Sequence, residues 1–320
     1  MMRKLVGFML LLAVGGYFAV KNIDGLDQLR LRPKAGEPQS DADPALPPVD
    51  RKDNAIRVGS FNIEVFGAKK SSKPAVMKIL ADIVRRFDVV AIQEIRAQSN
   101  DILPRFVDEI NATGRHYDFV IGPRLGRTSN TEQYAFIFDT ASIEIDRNAT
   151  YTLEDPDDLL HREPLVGWFR VRGPKPSEAF TFTLVNVHTD PDEVKTEVNA
   201  LADAYRAIRD DGRREDDTIM LGDFNASDRK LGRLAEISGM TPVIAGIPTN
   251  TKTDKQYDNL LFTMPATQEF SGRGGVFDIL REYNLTVDQA MEISDHLPVW
   301  AEFSVYEGGQ AGRFAERPTR

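Results

Sequence analysis

Five short segments, far apart in the chain, each join a strand-like run to acid, amide or imidazole side chains. They are Gly59-Ser60-Phe61-Asn62-Ile63, Ala91-Ile92-Gln93-Glu94, Val185-Asn186-Val187-His188, Met220-Leu221-Gly222-Asp223-Phe224-Asn225 and Ser294-Asp295-His296-Leu297-Pro298. One such segment would describe an ordinary strand running into a polar turn. Five constrain the fold, because their strands must lie in sheets that bring Asn62, Glu94, His188, Asp223, Asn225, Asp295 and His296 to one edge. Hard oxygen donors, two imidazoles and a chain without cysteine suit cleavage of a phosphodiester with magnesium or calcium.

The intervening pattern interleaves strands and helices. β-Branched and aromatic content marks strands at Ile56–Ile63, Val89–Gln93, Tyr134–Asp139, Val166–Val171, Phe180–Val187, Thr218–Leu221, Asn259–Phe262 and Val299–Val305. Helical spacing runs through Pro74–Arg86, Ile102–Ile110 and Glu193–Arg209; in the last, Val194, Val198, Leu201, Tyr205 and Ile208 form the apolar stripe. Strands between about residues 160 and 190 follow one another without helices, so the sheets cannot be purely parallel. The expected class is α/β, a four-layer α-β-β-α sandwich of two mixed sheets flanked by helices.

Around this body the composition changes. Met1-Met2-Arg3-Lys4 precedes an uncharged, mainly apolar run, Leu5 to Val20, closed by Lys21. Residues 1–21 therefore read as a signal-anchor or a signal peptide, the anchor slightly favoured because no strong Ala-x-Ala site follows. Arg3 and Lys4 would stay in the cytoplasm, leaving the rest anchored at the membrane and facing outward, or secreted after cleavage. Residues 22–53 read as a Pro/Asp-rich linker, 54–306 as the folded body and 307–320 as a disordered tail. A formal net charge of −9 argues against avid non-specific binding to nucleic acid. It does not exclude an enzyme that must release a polyanion and borrows local positive charge from a metal ion.

Taken together, the motifs resemble the endonuclease/exonuclease/phosphatase superfamily and, within it, the deoxyribonuclease I branch. The broad resemblance rests on Ser60-Phe61-Asn62, Gln93-Glu94, Gly222-Asp223-Phe224-Asn225 and Ser294-Asp295-His296. The narrower one rests on Leu125-Gly126-Arg127 leading to Glu132-Gln133-Tyr134, on Arg162-Glu163-Pro164, and on His188 followed by Asp190, Glu193-Val194 and Glu197-Val198-Asn199. It covers roughly residues 56–305.

A lone Glu94 at the end of an apolar run is costly unless it meets a cation, so it reads as the main metal ligand, with Asn62 and Asp295 nearby. The competing reading pairs Glu94 with Arg96 as a plain salt bridge. Asp223 and Asn225, two apart, would share one side of an extended segment, Asp223 serving the attacking water and Asn225 a phosphate oxygen. An ordinary Asp-x-Asn turn is the alternative. The resemblance implies that His296 pairs with Asp258 and His188 with Glu132, giving two acid–base groups. It further implies that Arg162 contacts substrate phosphate, while Arg96, which a surface role would also fit, contacts nucleic-acid backbone. His116 and His161 read as structural.

Two departures stand out. Where the deoxyribonuclease I branch has an arginine two residues past Asn62, this chain has Glu64; where it has a DNA-contacting tyrosine two residues before Glu132, this chain has Asn130. The resemblance implies a monomeric, low-specificity DNA-nicking endonuclease using Mg2+, with Ca2+ or Mn2+ as alternatives. Hydrolysis of phospholipid, sphingomyelin or inositol phosphate headgroups is the competing activity.

Overall fold

The computed structural model describes residues 54–128, 131–213 and 215–309. The segment 1–53, Asn130 and the tail beyond residue 309 lie outside the described residues, and with them the expected anchor and linker. Among the described residues no helix is long and apolar enough to cross a membrane.

Among the described residues, twelve strands form two six-stranded sheets. They are β1 (Ala55–Phe66), β2 (Val89–Ile95), β3 (Tyr117–Ile121), β4 (Gln133–Asp139), β5 (Ile143–Thr152), β6 (Leu165–Val171), β7 (Thr181–His188), β8 (Thr218–Asp223), β9 (Met240–Pro242), β10 (Asp258–Thr263), β11 (Phe270–Val276) and β12 (Val299–Ser304). The first sheet runs β11-β12-β1-β2-β4-β3 and the second β5-β6-β7-β8-β10-β9. Both are mixed: β1–β2 and β7–β8 are parallel and the other pairs antiparallel.

Strand alternation sorts side chains between the layers. Leu184, Ile219, Leu221, Leu260 and Phe262 of the second sheet meet Val58, Val89, Ala91, Phe136 and Phe303 of the first in one buried core. Phe169, Phe182, Phe180 and Phe303 stack through it, with successive ring centroids 5.6, 4.8 and 5.8 Å apart. Each fully buried Phe contributes roughly 1.5–3 kcal/mol of burial energy. The intervening residues Val185, Val187, Met220 and Leu261 face outward and are covered by Val198, Leu201 and Tyr205 of helix Val194–Arg209. Helices Pro74–Val84 and Ile102–Asn111 flank the first sheet, where Phe106 packs on Phe66 at 5.2 Å. The four-layer α-β-β-α sandwich expected from the sequence is the observed architecture.

Eight strands match the sequence reading to within a few residues. The four it left out (β3, β5, β9 and β11) are the four sheet edges. Edge strands are half-solvated and carry polar or glycine-rich sequence, as in Phe270-Ser271-Gly272-Arg273-Gly274-Gly275-Val276, so their β signal is diluted. The expected tail also starts too early: Glu307–Gly309 form a 3-10 turn, and Glu307 accepts from the Thr181 backbone N–H at 3.2 Å.

Candidate active site

The same inward alternation that builds the core becomes polar toward one end of the sandwich. Above the apolar layer, Gln93 Nε2 donates to Asn186 Oδ1 at 2.7 Å, while Asn186 Nδ2 donates to the carbonyls of Ile92 and Ala135 at 3.1 Å each. This fully engaged amide layer ties the two sheets together. Two residues beyond Asn186 on β7 stands His188, opposite Asp223 on β8, while Asn62 on β1 is level with Gln93. Register completes the set, because Asp223 is opposite His188 on β7 and opposite Asp258 on β10.

Each histidine is backed by a carboxylate. His188 Nδ1 meets Glu132 Oε1 at 2.8 Å, and His296 Nδ1 meets Asp258 Oδ2 at 2.9 Å. Both Nε2 atoms then turn to one oxygen, Asp223 Oδ2, at 3.5 Å each. That is longer than a well-formed hydrogen bond. Burial works against charging either imidazole, but the neighbouring carboxylates win: Glu132 and Asp223 raise His188, while Asp258 and Asp223 raise His296 well above the usual histidine range. Burial also opposes ionisation of Asp223, yet the two imidazoles and the Asn225 N–H hold its carboxyl below the ordinary value. The centre thus favours charge on both imidazoles and on the Asp223 carboxylate between them.

The remaining predicted residues converge on this core. Asn62 Nδ2 donates to Glu94 Oε1 at 3.2 Å and to Asp223 Oδ2 at 3.1 Å, linking the two sheets; its Oδ1 accepts from the Glu64 N–H at 3.0 Å. Glu94 is 9% exposed, and its Oε2 accepts from the Val65 N–H at 2.9 Å. Arg96 lies 3.0 Å from Glu94 and 3.7 Å from Glu132, so the ion pair weighed against a ligand role is present. Asp295 Oδ1 comes within 3.8 Å of His296 Nε2 and is buried without a hydrogen-bond partner. Arg162 is buried behind His188, donating from Nε to its carbonyl at 3.1 Å, with Glu132 3.6 Å away.

The extended geometry expected for Asp223 and Asn225 does not hold. β8 stops at Asp223, and Asn225 turns into the left-handed region at φ 47°. Asp223 Oδ1 accepts from the Asn225 N–H at 2.8 Å, the Asx turn that Asp and Asn favour, and Asn225 Nδ2 reaches the Thr189 carbonyl at 2.9 Å. The turn and the site are one structure. Left-handed backbone recurs at Glu64, Val65 and Glu94, with φ of 45°, 46° and 62°. Such strain persists where surrounding contacts over-determine it. Lys70 supplies some of them, donating to the carbonyls of Ile63 at 2.7 Å and Ile293 at 2.8 Å and pairing with Glu64 at 3.3 Å.

Sequence reasoning assigned no role to three supporting residues. Thr249 Oγ1 donates to Asp258 Oδ2 at 2.7 Å and accepts from the Tyr257 and Asp258 N–H groups. Glu197 accepts from the backbone of His161 at 2.7 Å and of Asp190 at 2.8 Å, clamping the loop that carries Arg162 to the end of β7. Lys70 is the third. Thr249 lies in a loop without periodic signal; an acid at the first turn of a helix is an ordinary helix-dipole feature, which hides Glu197. His161 is buried, its Nε2 accepting from the Arg127 N–H at 3.3 Å, and His116 is exposed.

The profile of the Endonuclease/Exonuclease/phosphatase family matches residues 59–280. Deoxyribonuclease gamma of Mus musculus is 32% identical over 266 residues, covering 77% of this chain and 83% of that protein. Deoxyribonuclease-1-like 2 of Homo sapiens is 30% identical over 274 residues, covering 77% of this chain and 91% of that protein. Truncated Caenorhabditis elegans TDP2 superposes with a TM-score of 0.54 at 16% identity, over 80% of this chain and 100% of that one, a likeness of fold.

Proposed function

This chain belongs to the endonuclease/exonuclease/phosphatase family, in its deoxyribonuclease I-like branch, and on that premise we propose an exported, divalent-metal-dependent endonuclease that nicks DNA with low sequence specificity. The observation that carries the reading is the pair of carboxylate-backed imidazoles facing Asp223, with the Glu132–His188 pair on one side and Asp258–His296 on the other.

The donor set fits a hard cation. Glu94 and Asp295 would hold it, with Asn62 beside them, and Asp295 Oδ1 is a buried oxygen in want of a partner. When bound, Mg2+, or Ca2+ or Mn2+ in its place, supplies positive charge to a phosphate oxygen. The chain's own groups do the rest. Asp223, kept ionised, orients the attacking water and draws its proton. His188 and His296 present Nε2 to the phosphate: in the protonated form they would donate to phosphoryl oxygens, and one of them gives its proton to the departing ester oxygen as the P–O bond to water forms and the ester P–O bond breaks, while their carboxylates hold the rings in place. Asn225 has a second amide hydrogen for a phosphate oxygen, Arg96 faces the same opening, and Arg162 steadies His188 from behind. Phosphate contacts position a duplex without reading its sequence, which supports the low specificity proposed here. The basic start and the apolar run Leu5–Val20 support export, with membrane anchoring when that segment is retained.

The test is nicking of supercoiled plasmid with magnesium, with and without chelator, beside hydrolysis of sphingomyelin and inositol phosphates by the same preparation. Chelator-sensitive nicking with inert lipid substrates is expected. Rapid headgroup hydrolysis with intact plasmid would replace the nuclease reading with the phosphoesterase one.

A further inference from the structure

The strand that supplies Asn62 leaves its regular pairing immediately afterwards. Asn62 is level with Gln93 on β2 and Phe66 with Ile95, so Ile63, Glu64 and Val65 stand opposite Glu94 alone. The surplus residues form a bulge, a device that re-aims groups beside active sites. Its backbone is strained: Glu64 and Val65 are both left-handed, and for a β-branched valine that is an outlier. The strained turn aims the Val65 N–H at Glu94 Oε2, 2.9 Å away.

Lys70, on the short helix Ala68–Ser71, holds the bulge in that shape. Its side chain is only 10% exposed, and its ammonium finds three acceptors for three protons. They are the Ile63 carbonyl at 2.7 Å, the Ile293 carbonyl at 2.8 Å and Glu64 Oε2 at 3.3 Å. Ile63 and Glu64 belong to the bulge, and Ile293 lies two residues before Asp295. One ammonium thus spans the two segments whose carboxylates, Glu94 and Asp295, would hold the cation. It reaches Glu94 through the Val65 N–H and Asp295 along the backbone, while Glu64 offsets its charge.

We propose that Lys70 is a positioning residue for the metal site, setting the separation of Glu94 and Asp295 by pinning the bulge to the segment Ile293–Asp295. This role rests on the metal-dependent activity proposed above, and it belongs to a side chain that touches neither cation nor substrate. Losing such a support behind a ligand costs about 10–100-fold in metal affinity. The rival role is electrostatic. Asp295 and Glu94 also feel the lysine's charge. A lysine that only offset their charge would compete with the metal, and its removal would tighten metal binding.

The two roles predict opposite signs. Manganese is titrated calorimetrically into the metal-stripped full chain, and thermal midpoints are measured in chelator and at one fixed magnesium concentration. A parent that binds no manganese removes the metal-dependent activity and this role together. With a parent that binds, Lys70→Met should weaken manganese binding about 10–100-fold and raise the magnesium needed for half-maximal nicking to match. The double variant Glu64→Gln/Lys70→Met, which removes both charges, should bind as weakly, because geometry rather than net charge is lost. Magnesium should raise the midpoint of Lys70→Met less than that of the parent, whereas a purely structural lysine would lower both midpoints equally. Lys70→Gln keeps one donor group and guards against misfolding of the methionine variant; it should weaken binding in the same direction. Parent-like or tighter manganese binding in either folded variant, or equal midpoint losses in chelator and magnesium, overturns the proposal.

Discussion

His188 and His296 enter from different sheets, one at the end of β7 and one in the approach to β12, yet each presents Nε2 to the same Asp223 oxygen at 3.5 Å. In the proposed reaction, two imidazoles sharing one anion would serve one phosphate rather than two separate tasks. His188→Ala and His296→Ala should each lower turnover about 10²–10⁴-fold, the range for a positioned acid–base group. The double variant should lose far less than the product of the single losses. Strict multiplication of the two effects in a steady-state nicking assay would show that the rings act independently.

Loss of metal should silence the enzyme without unfolding its sheets. Chelator is expected to abolish nicking, and magnesium to restore it. Glu94→Gln and Asp295→Asn preserve shape while removing charge, so each should raise the magnesium concentration needed for half-maximal nicking and lower the ceiling at least about 10²-fold. An unchanged magnesium titration in both variants would remove these two residues from the metal site.

Gly222 occupies φ 149°, and a Cβ there would sit 1.9 Å from the Val187 carbonyl oxygen. That carbonyl belongs to the strand carrying His188, so relief requires pulling β7 from β8. Gly222→Ala should cost at least about 2–3 kcal/mol, combining backbone strain with overpacking. Equilibrium urea unfolding gives the number, and a wild-type midpoint would contradict the close approach.

His161 links stability to acid. Burial and the adjacent Arg162 hold its imidazole below the usual histidine value, and its Nε2 accepts the Arg127 N–H at 3.3 Å, which requires the neutral ring. The unfolded chain therefore takes up a proton first as pH falls. His161's contribution is complete above about pH 6.5 and is lost as pH drops through the depressed folded value. Unfolding midpoints measured from pH 7.5 to 5 should decline more steeply in the wild type than in His161→Gln; parallel curves would exclude the link.

The central strands and the polar residues ending them were legible because one rule governs both. A strand buried on both faces must be apolar along its length, so an acid or imidazole at its end is conspicuous. Eight strands, three helices and the residues Asn62, Glu94, His188, Asp223, Asp295 and His296 follow from that contrast. Edge strands did not, since half their surface meets water and their sequence resembles that of loops. Pairing Glu132 with His188 and Asp258 with His296 came from family resemblance, as nothing in spacing joins positions 56 or 38 residues apart.

What only tertiary structure decided is how these groups face one another. Register across β7, β8 and β10 aligns His188, Asp223 and Asp258, and the packing of two sheets brings Asn62 within 3.1 Å of Asp223 across the core. Lys70 joins the nearby Ile63 carbonyl to the distant Ile293 carbonyl only through tertiary packing. Asp217 and Glu269 are buried only because neighbouring segments close over them. Local sequence sets which residues end a strand or line a face; burial, and therefore electrostatic meaning, is set by the segments that close over them.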